Sequence, residues 1–168
     1  GPVQEFIEAA RRTQDLWAGS FILSYLAWSA MKPIVAQFGP DAILYPSLWE
    51  QPLVDIWLRK EIGLHQLAEP PKTHRLRATL PNRFVALLPS AAAKQCAEAA
   101  SQALNRDWSE MANDVRNSLE ALLMLNPGWN ALWERQIGVQ WQTYWAVQKW
   151  PPQPVLDPKT NKLRPWMD

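Results

Sequence analysis

Apolar residues recur at helical spacing near the start of the chain. From Phe6 to Ala30 they fall three and four positions apart, and this period is typical of an amphipathic helix. Glycine costs a helix about 1 kcal/mol relative to alanine, so Gly19 predicts a break at that point. Ser20 would then cap a second helix, which we expect to end before Gly39-Pro40.

Strands are predicted where short apolar runs lie between proline and other turn-forming residues. Such runs occur at residues 42–45, 84–88 and 143–147. The segment from 69 to 77 is polar and contains proline, which indicates a loop between the first two of these strands.

Three further helices are predicted after the first. Residues 51–60 form a short one, with Pro52 in its first turn. A long alanine-rich helix should cover about 91–125, with Ser90 as its N-cap. The last covers about 129–140.

The order helix, strand, strand, helix, strand predicts an α+β fold that is rich in helix. It corresponds to an incomplete ferredoxin-like, palm/cyclase-like βαββαβ unit whose first strand is missing. We assign residues 1–150 to this palm-like domain. A helical excursion at 46–82 separates the strands at 42–45 and 84–88, which are strands two and three of the complete unit. The proline-rich residues 151–168 are expected to be a linker or a docking tail.

Composition excludes some classes of protein and favours a subunit. The 168 residues suit one domain with its own core, and no apolar run approaches the roughly 20 residues that span a bilayer. One cysteine fits a reducing cytoplasm. Eleven tryptophans predict a large core together with a docking surface. We therefore expect a cytoplasmic subunit without membrane contact.

Several blocks of the sequence resemble the large-subunit family of Cmr-type (type III-B) CRISPR effector complexes. They follow the family's order: Gly1-Pro2-Val3-Gln4-Glu5-Phe6-Ile7, Ala10-Arg11-Arg12-Thr13-Gln14-Asp15-Leu16-Trp17-Ala18-Gly19-Ser20, Leu23-Ser24-Tyr25-Leu26, Gly39-Pro40-Asp41-Ala42-Ile43-Leu44-Tyr45-Pro46, Gln51-Pro52-Leu53-Val54-Asp55, Leu80-Pro81-Asn82-Arg83-Phe84, Tyr144-Trp145-Ala146-Val147 and Trp150-Pro151. Each block alone is weak evidence, but together they are specific. The resemblance implies a fragment of the first palm-like domain of that subunit.

The intact family protein would carry more than this chain. The resemblance implies an HD nuclease domain, two cyclase-like palm domains, a zinc-binding region and a C-terminal helical domain. The family is associated with cleavage of single-stranded DNA and with synthesis of cyclic oligoadenylate from ATP when target RNA is bound. This chain lacks the strand before Gly1, a His-Asp metal constellation and the Gly-Gly-Asp-Asp motif of the other palm.

The implied partners are the second palm domain of the same subunit, other Cmr subunits and, indirectly, crRNA and target RNA. ATP and a divalent metal are implied as cofactors of the intact protein, and none for this fragment. Palm catalysis needs clustered carboxylates to hold two metal ions, and neither the turn at 1–4 nor the hairpin tip supplies them. His65 and His74 lack ligand-spaced partners. We therefore predict no catalytic and no metal-binding residue.

Nucleotide contacts are still expected, because the resemblance suggests that ATP lies between the two palm domains. Glycine permits close backbone approach, and a helix N-terminus favours phosphate. The alternative is that the glycines serve tight packing and that an asparagine serves a local turn. The candidate nucleotide-binding residues are Gly1, Pro2, Gln4, Gly19, Ser20, Asn82 and Arg83.

A short basic run offers candidate nucleic-acid contacts at Lys72, Arg75 and Arg77. A solvated loop is the alternative, since the net charge of the chain is only +1. The preferred function is a non-catalytic palm-like module that contributes to subunit docking and to a composite ATP pocket. A stand-alone degenerate nucleotidyl cyclase and an independent RNA-binding domain stay open as alternatives.

Overall fold

The computed structural model describes residues 8, 10–122, 128–138 and 141–150. Helices dominate these residues, and the two strands among them are short. The elements are α1 (Thr13–Phe38), a 3-10 helix (Pro40–Ala42), β1 (Ile43–Tyr45), α2 (Pro52–Lys60), β2 (Val85–Ala86), α3 (Ala93–Leu122) and α4 (Trp129–Ile137). The fold is thus α+β and rich in helix. Within the described ranges, no helix is long and apolar enough to cross a membrane.

Helix α1 runs without interruption through Gly19 and Ser20, so the predicted break and the predicted Ser20 cap are both wrong. Gly19 is buried. The Ser20 hydroxyl donates a 2.8 Å hydrogen bond to the carbonyl of Leu16, one turn earlier in the same helix. Most helical stability in proteins comes from tertiary packing, and burial of Gly19 and of the second half of α1 outweighs the low helix propensity of one glycine.

The two ends of α1 are defined by local backbone chemistry. At the start, the Asp15 carboxylate accepts a 3.1 Å hydrogen bond from the Arg12 amide, which is one half of a capping box. At the other end Gly39 has a φ of 86°, and its amide donates to the Val35 carbonyl at 2.9 Å. A positive φ suits glycine, and the predicted end of the helix is confirmed.

The hydrophobic core lies where the second half of α1 meets α2, the strands and the start of α3. Met31 and Val54 are both 0% exposed. Trp28 of α1 and Trp57 of α2 meet edge to face, with ring centroids 5.6 Å apart. Cys96, the one cysteine of the chain, is buried where α3 packs on this cluster. Complete burial of each large apolar side chain contributes about 1.5–3 kcal/mol.

The strands form a two-stranded antiparallel sheet, in which Ile43 lies opposite Ala86 and Tyr45 opposite Val85. The first two of the three predicted strands are therefore present. The second strand, Val85–Ala86, is shorter than the predicted span of 84–88. Phe84 and Leu88, at the two ends of the predicted span, pack against the core.

The third predicted strand, at 143–147, is wrong. Residues 141–150 have no regular secondary structure, and most of their side chains are exposed. A sequence with high β propensity still needs a neighbouring strand for its hydrogen bonds, and none pairs with it among the described residues. The tail predicted at 151–168 lies outside the described residues.

The remaining helix predictions are largely confirmed. Helix α2 matches the predicted span, with Pro52 in its first turn. Helix α3 begins at Ala93 and not directly after Ser90, because the Pro89 carbonyl accepts hydrogen bonds from the amides of Ala92 (2.9 Å) and Ala93 (3.1 Å). These bonds form a turn before the helix. The predicted last turns of α3 and α4 reach into residues outside the described ranges.

Polar contacts attach α4 to α3. The Arg116 guanidinium of α3 lies 3.1 Å from Glu134 and 3.0 Å from Asn130, which are both on α4. It also pairs with Glu120 on its own helix at 2.9 Å, and these carboxylates raise the pKa of Arg116. One side chain thus bridges the two helices.

An aromatic contact adds to this attachment. The Trp108 indole of α3 donates a 3.1 Å hydrogen bond to the Ile137 carbonyl at the end of α4. Its ring also meets Trp141 edge to face, with centroids 5.4 Å apart. We refer to α4 together with residues 141–150 as the C-terminal arm.

Candidate functional site

The candidate nucleotide-binding residues fall in three places along the chain. Gly1, Pro2 and Gln4 lie outside the described residues. Gly19 and Ser20 lie in the first half of α1, and Asn82 and Arg83 lie just before β2. In the described part of the chain, no hydrogen bond or ion pair joins Gly19 or Ser20 to Asn82 or Arg83.

The observed environment of Gly19 and Ser20 is that of residues that stabilise the fold. Gly19 is buried, and the Ser20 hydroxyl uses its proton for the bond to the Leu16 carbonyl within α1. The Ser20 oxygen still has acceptor capacity, but its donor is occupied. The packing alternative for Gly19 therefore agrees with its position.

Sequence reasoning missed the serine that makes the longer-range contact. Ser24 is 1% exposed, and its hydroxyl oxygen accepts hydrogen bonds from the amides of Thr79 (3.1 Å) and Leu80 (2.9 Å). Two backbone donors of the excursion between the strands are thereby satisfied at α1. The available signal was a serine inside an apolar helical run, one turn after Ser20.

Asn82 and Arg83 are exposed, but the segment that carries them is anchored at both ends. Leu80, two residues before Asn82, is bound to Ser24 and is 6% exposed. Val85, two residues after Arg83, belongs to β2. The backbone thus presents both side chains to solvent from a fixed position.

The predicted nucleic-acid contacts divide into two kinds. Arg75 is half-buried and occupied, because its guanidinium lies 2.6 Å from Glu69 and donates to the Pro70 carbonyl at 3.1 Å. Lys72 and Arg77 are exposed and form no ion pair with the described residues. Arg75 therefore maintains the shape of the loop, whereas Lys72 and Arg77 are available to an external anion.

Two carboxyl groups lie near each other at the start of α2. Burial raises the pKa of Asp55 above its usual range, and the negative charge of Glu50 raises it further. Within the described ranges, no group of three or more His, Cys, Asp or Glu side chains is placed to hold a metal ion. This pair alone does not supply the carboxylate set of a palm catalytic centre.

A second ionisable cluster lies between α1 and α3. Burial raises the pKa of Tyr25, and the charges of Asp107 and Glu110 raise it further. The Asp107 side chain is 7% exposed and pairs with the neighbouring Arg106 at 2.9 Å. The tyrosine therefore stays neutral at physiological pH, and we infer that this cluster serves the packing of α1 against α3.

Comparison with known proteins identifies the family. Residues 1–113, from the first motif into α3, match the family model described as "CRISPR-associated protein Cmr2, N-terminal". The chain belongs to this family. The resemblance found in the sequence blocks is thereby confirmed.

Two curated relatives of the Cmr2 family are similar to part of the chain. The "CRISPR system Cmr subunit Cmr2" of Pyrococcus furiosus is 38% identical over 98 residues, which are 58% of this chain and 10% of the relative. The "CRISPR system CMR subunit Cmr2" of Saccharolobus solfataricus is 31% identical over 67 residues, 40% of this chain and 6% of the relative. The matched stretches thus span a tenth or less of either relative.

Proposed function

We propose that this chain is the non-catalytic, palm-like module of a type III-B effector large subunit, and that it acts by docking. Its membership of the Cmr2 N-terminal family carries the proposal. The complete module would be the ferredoxin-like unit, in which the strand expected before Gly1 joins β1 and β2. A two-stranded sheet is marginal alone in water, which supports completion by further strands.

The sheet offers an apolar surface for docking. Ile43 and Ala86 pack against the core, so Leu44 and Val85 occupy the alternate positions along their strands, and Leu87 directly follows β2. Those three side chains are 48%, 48% and 50% exposed. Contiguous exposed apolar patches mark interaction sites, so this face is suited to burial against the rest of the subunit.

The partners follow from this docking role. We propose that the module binds the second palm domain of the same subunit and neighbouring Cmr subunits, and that crRNA and target RNA are contacted through the assembled complex. Both curated relatives are named as subunits of a Cmr system. Their much greater length supports a large remainder of the subunit as the first of these partners.

The module would also contribute to a composite ATP pocket. Gly1, Pro2 and Gln4 lie within the family match, and backbone amides beside small residues suit a triphosphate. The divalent metal would be held by carboxylates of the second palm domain. In this proposal the chain supplies binding contacts, and cyclic oligoadenylate synthesis belongs to the intact protein.

Isothermal titration calorimetry with ATP and magnesium tests the pocket. We expect binding only when this chain is mixed with the separately expressed second palm domain, and we expect Gln4→Ala to weaken it. Gln136→Ala, at an exposed position of α4, is the matched control and should have no effect. If the chain alone binds and converts ATP, the degenerate-cyclase alternative replaces this proposal. If the two domains do not co-elute in gel filtration, the docking role fails.

A further inference from the structure

Four of the 17 lysine and arginine residues of the chain are clustered in one loop. Residues 70–83, which we name the basic loop, contain four cations, Lys72, Arg75, Arg77 and Arg83, and no carboxylate. The whole chain has a net charge of +1, so removing these four charges leaves −3 for all other residues. The small net charge therefore conceals a strong local asymmetry, which is typical of an anion-binding surface.

The basic loop is held in shape by its own hydrogen bonds. The His74 amide donates to the Pro71 carbonyl at 2.8 Å, and the Arg77 amide donates to the His74 carbonyl at 3.1 Å. Arg75 forms an ion pair with Glu69, which directly precedes the loop. Ser24 of α1 binds the second half of the loop through the amides of Thr79 and Leu80. A binding surface that is already ordered loses less entropy when it binds.

Three of the four cations have no acidic partner. Lys72, Arg77 and Arg83 are exposed and form no ion pair with any residue in the described part of the chain. Elsewhere Lys94 pairs with Glu98 and Arg106 pairs with Asp107, whereas Arg135 and Lys149 are also exposed and form no ion pair with the described residues. The loop thus combines a structural arginine with three unpaired charges.

The chemistry of the loop favours a phosphate backbone over an acidic protein surface. Protein interfaces are centred on buried apolar or aromatic anchors and are depleted of charge at that centre. In the basic loop the one large exposed hydrophobic side chain is Leu76. Phosphate neutralisation needs only accessible lysine and arginine side chains, and it is independent of sequence.

We propose that the basic loop binds the sugar-phosphate backbone of a nucleic acid, through Lys72, Arg77 and Arg83, and a single-stranded RNA serves as the probe below. Arg75 is a positioning residue, which keeps the other three cations on one ordered segment. The contact is electrostatic and does not distinguish bases. This inference rests on the charges and hydrogen bonds of the loop and not on the docking role, so either proposal can fail alone.

Fluorescence anisotropy with a labelled 30-nucleotide poly-uridine RNA tests the proposal on the full chain. The triple variant K72Q/R77Q/R83Q should bind roughly ten- to a hundredfold more weakly at about 50 mM salt. The slope of log K against log salt concentration should fall by about 2, since each phosphate contact to a single strand contributes about 0.7.

A charge-matched control separates the loop from overall charge. The variant K94Q/R135Q/K149Q removes three exposed cations elsewhere and should change affinity less than threefold. Equal weakening by both triple variants would overturn the proposal, as would the absence of RNA binding by the unmodified chain at low salt. Competition by poly-glutamate as strong as that by RNA would assign the loop to an acidic protein instead. Circular dichroism checks folding, and the three single variants, each lowering the slope by about 0.7, keep the test valid if the triple variant unfolds.

Discussion

Helices α2 and α4 have the same length, nine residues each, yet they are attached to the molecule in different ways. Helix α2 buries Pro52 and Val54 and contacts α1 through its tryptophan. No residue of α4 is buried, and Arg116 and Trp108 attach it through polar contacts. Apolar burial contributes about 1.5–3 kcal/mol for each large side chain, whereas exposed ion pairs contribute about 0–1 kcal/mol.

The comparison indicates that stability is unevenly distributed. The core around α1 and α2 should unfold only with the whole molecule, whereas the C-terminal arm can separate at much lower free energy. The family match ends at residue 113, before the arm begins. The part of the chain that is shared with the family is therefore also the part that carries the packed core.

Trp28→Ala should have the largest effect on this comparison. Trp28 is 4% exposed in the core, so its truncation should lower the free energy of unfolding by about 3–5 kcal/mol. Trp49, which is 79% exposed, provides the matched control, and Trp49→Ala should change stability by less than about 0.5 kcal/mol. Urea denaturation measures both. Similar losses for the two variants would contradict the assignment of the core.

Ser24→Ala should have an intermediate effect. The change leaves the amides of Thr79 and Leu80 without their acceptor, and an unsatisfied buried donor costs about 1–3 kcal/mol. Ser20→Ala removes a hydroxyl that bonds only within α1, so it serves as the control with little loss. Thermal unfolding gives the stability, and amide hydrogen exchange at Leu80 should accelerate only in the first variant. An unchanged exchange rate at Leu80 would show that Ser24 does not anchor the excursion.

Arg116→Ala should have the smallest global effect and the most local one. It removes the contacts to Glu134 and Asn130, so amide exchange along α4 should accelerate several-fold while α2 is unaffected. Arg135→Ala, at an exposed position of α4, is the control and should leave exchange unchanged. If the midpoint of global unfolding falls as it does for Trp28→Ala, the arm and the core form one cooperative unit, and the comparison is wrong.

Local signals in the sequence predicted much of the fold. Apolar periodicity and the Gly39-Pro40 boundary gave the end of α1, and Pro52 marked the start of α2. The errors arose where distant parts of the chain decide the outcome. Burial keeps Gly19 within a continuous helix, and the segment at 143–147 has no strand beside it in the described structure.

For the candidate site, the sequence indicated where charged residues lie but not what each of them contacts. Charge spacing alone identified the basic run at Lys72 and Arg77. The different role of Arg75 depends on the placement of Glu69 and the Pro70 carbonyl, which charge spacing does not reveal. The role of Ser24 depends on amides 55 and 56 positions away, beyond the reach of any local pattern.

The single thiol of the chain can report the separation of α3 from α1. Cys96 is 5% exposed, and its sulfur lies 3.9 Å from the Gln37 side chain of α1. A thiol reagent can reach it only after α3 separates from α1, so the labelling rate measures how often that separation occurs. A ligand that binds only the closed form should slow labelling in proportion to its occupancy. Binding by the rest of the subunit, or by RNA, is thus measurable without introducing a further cysteine.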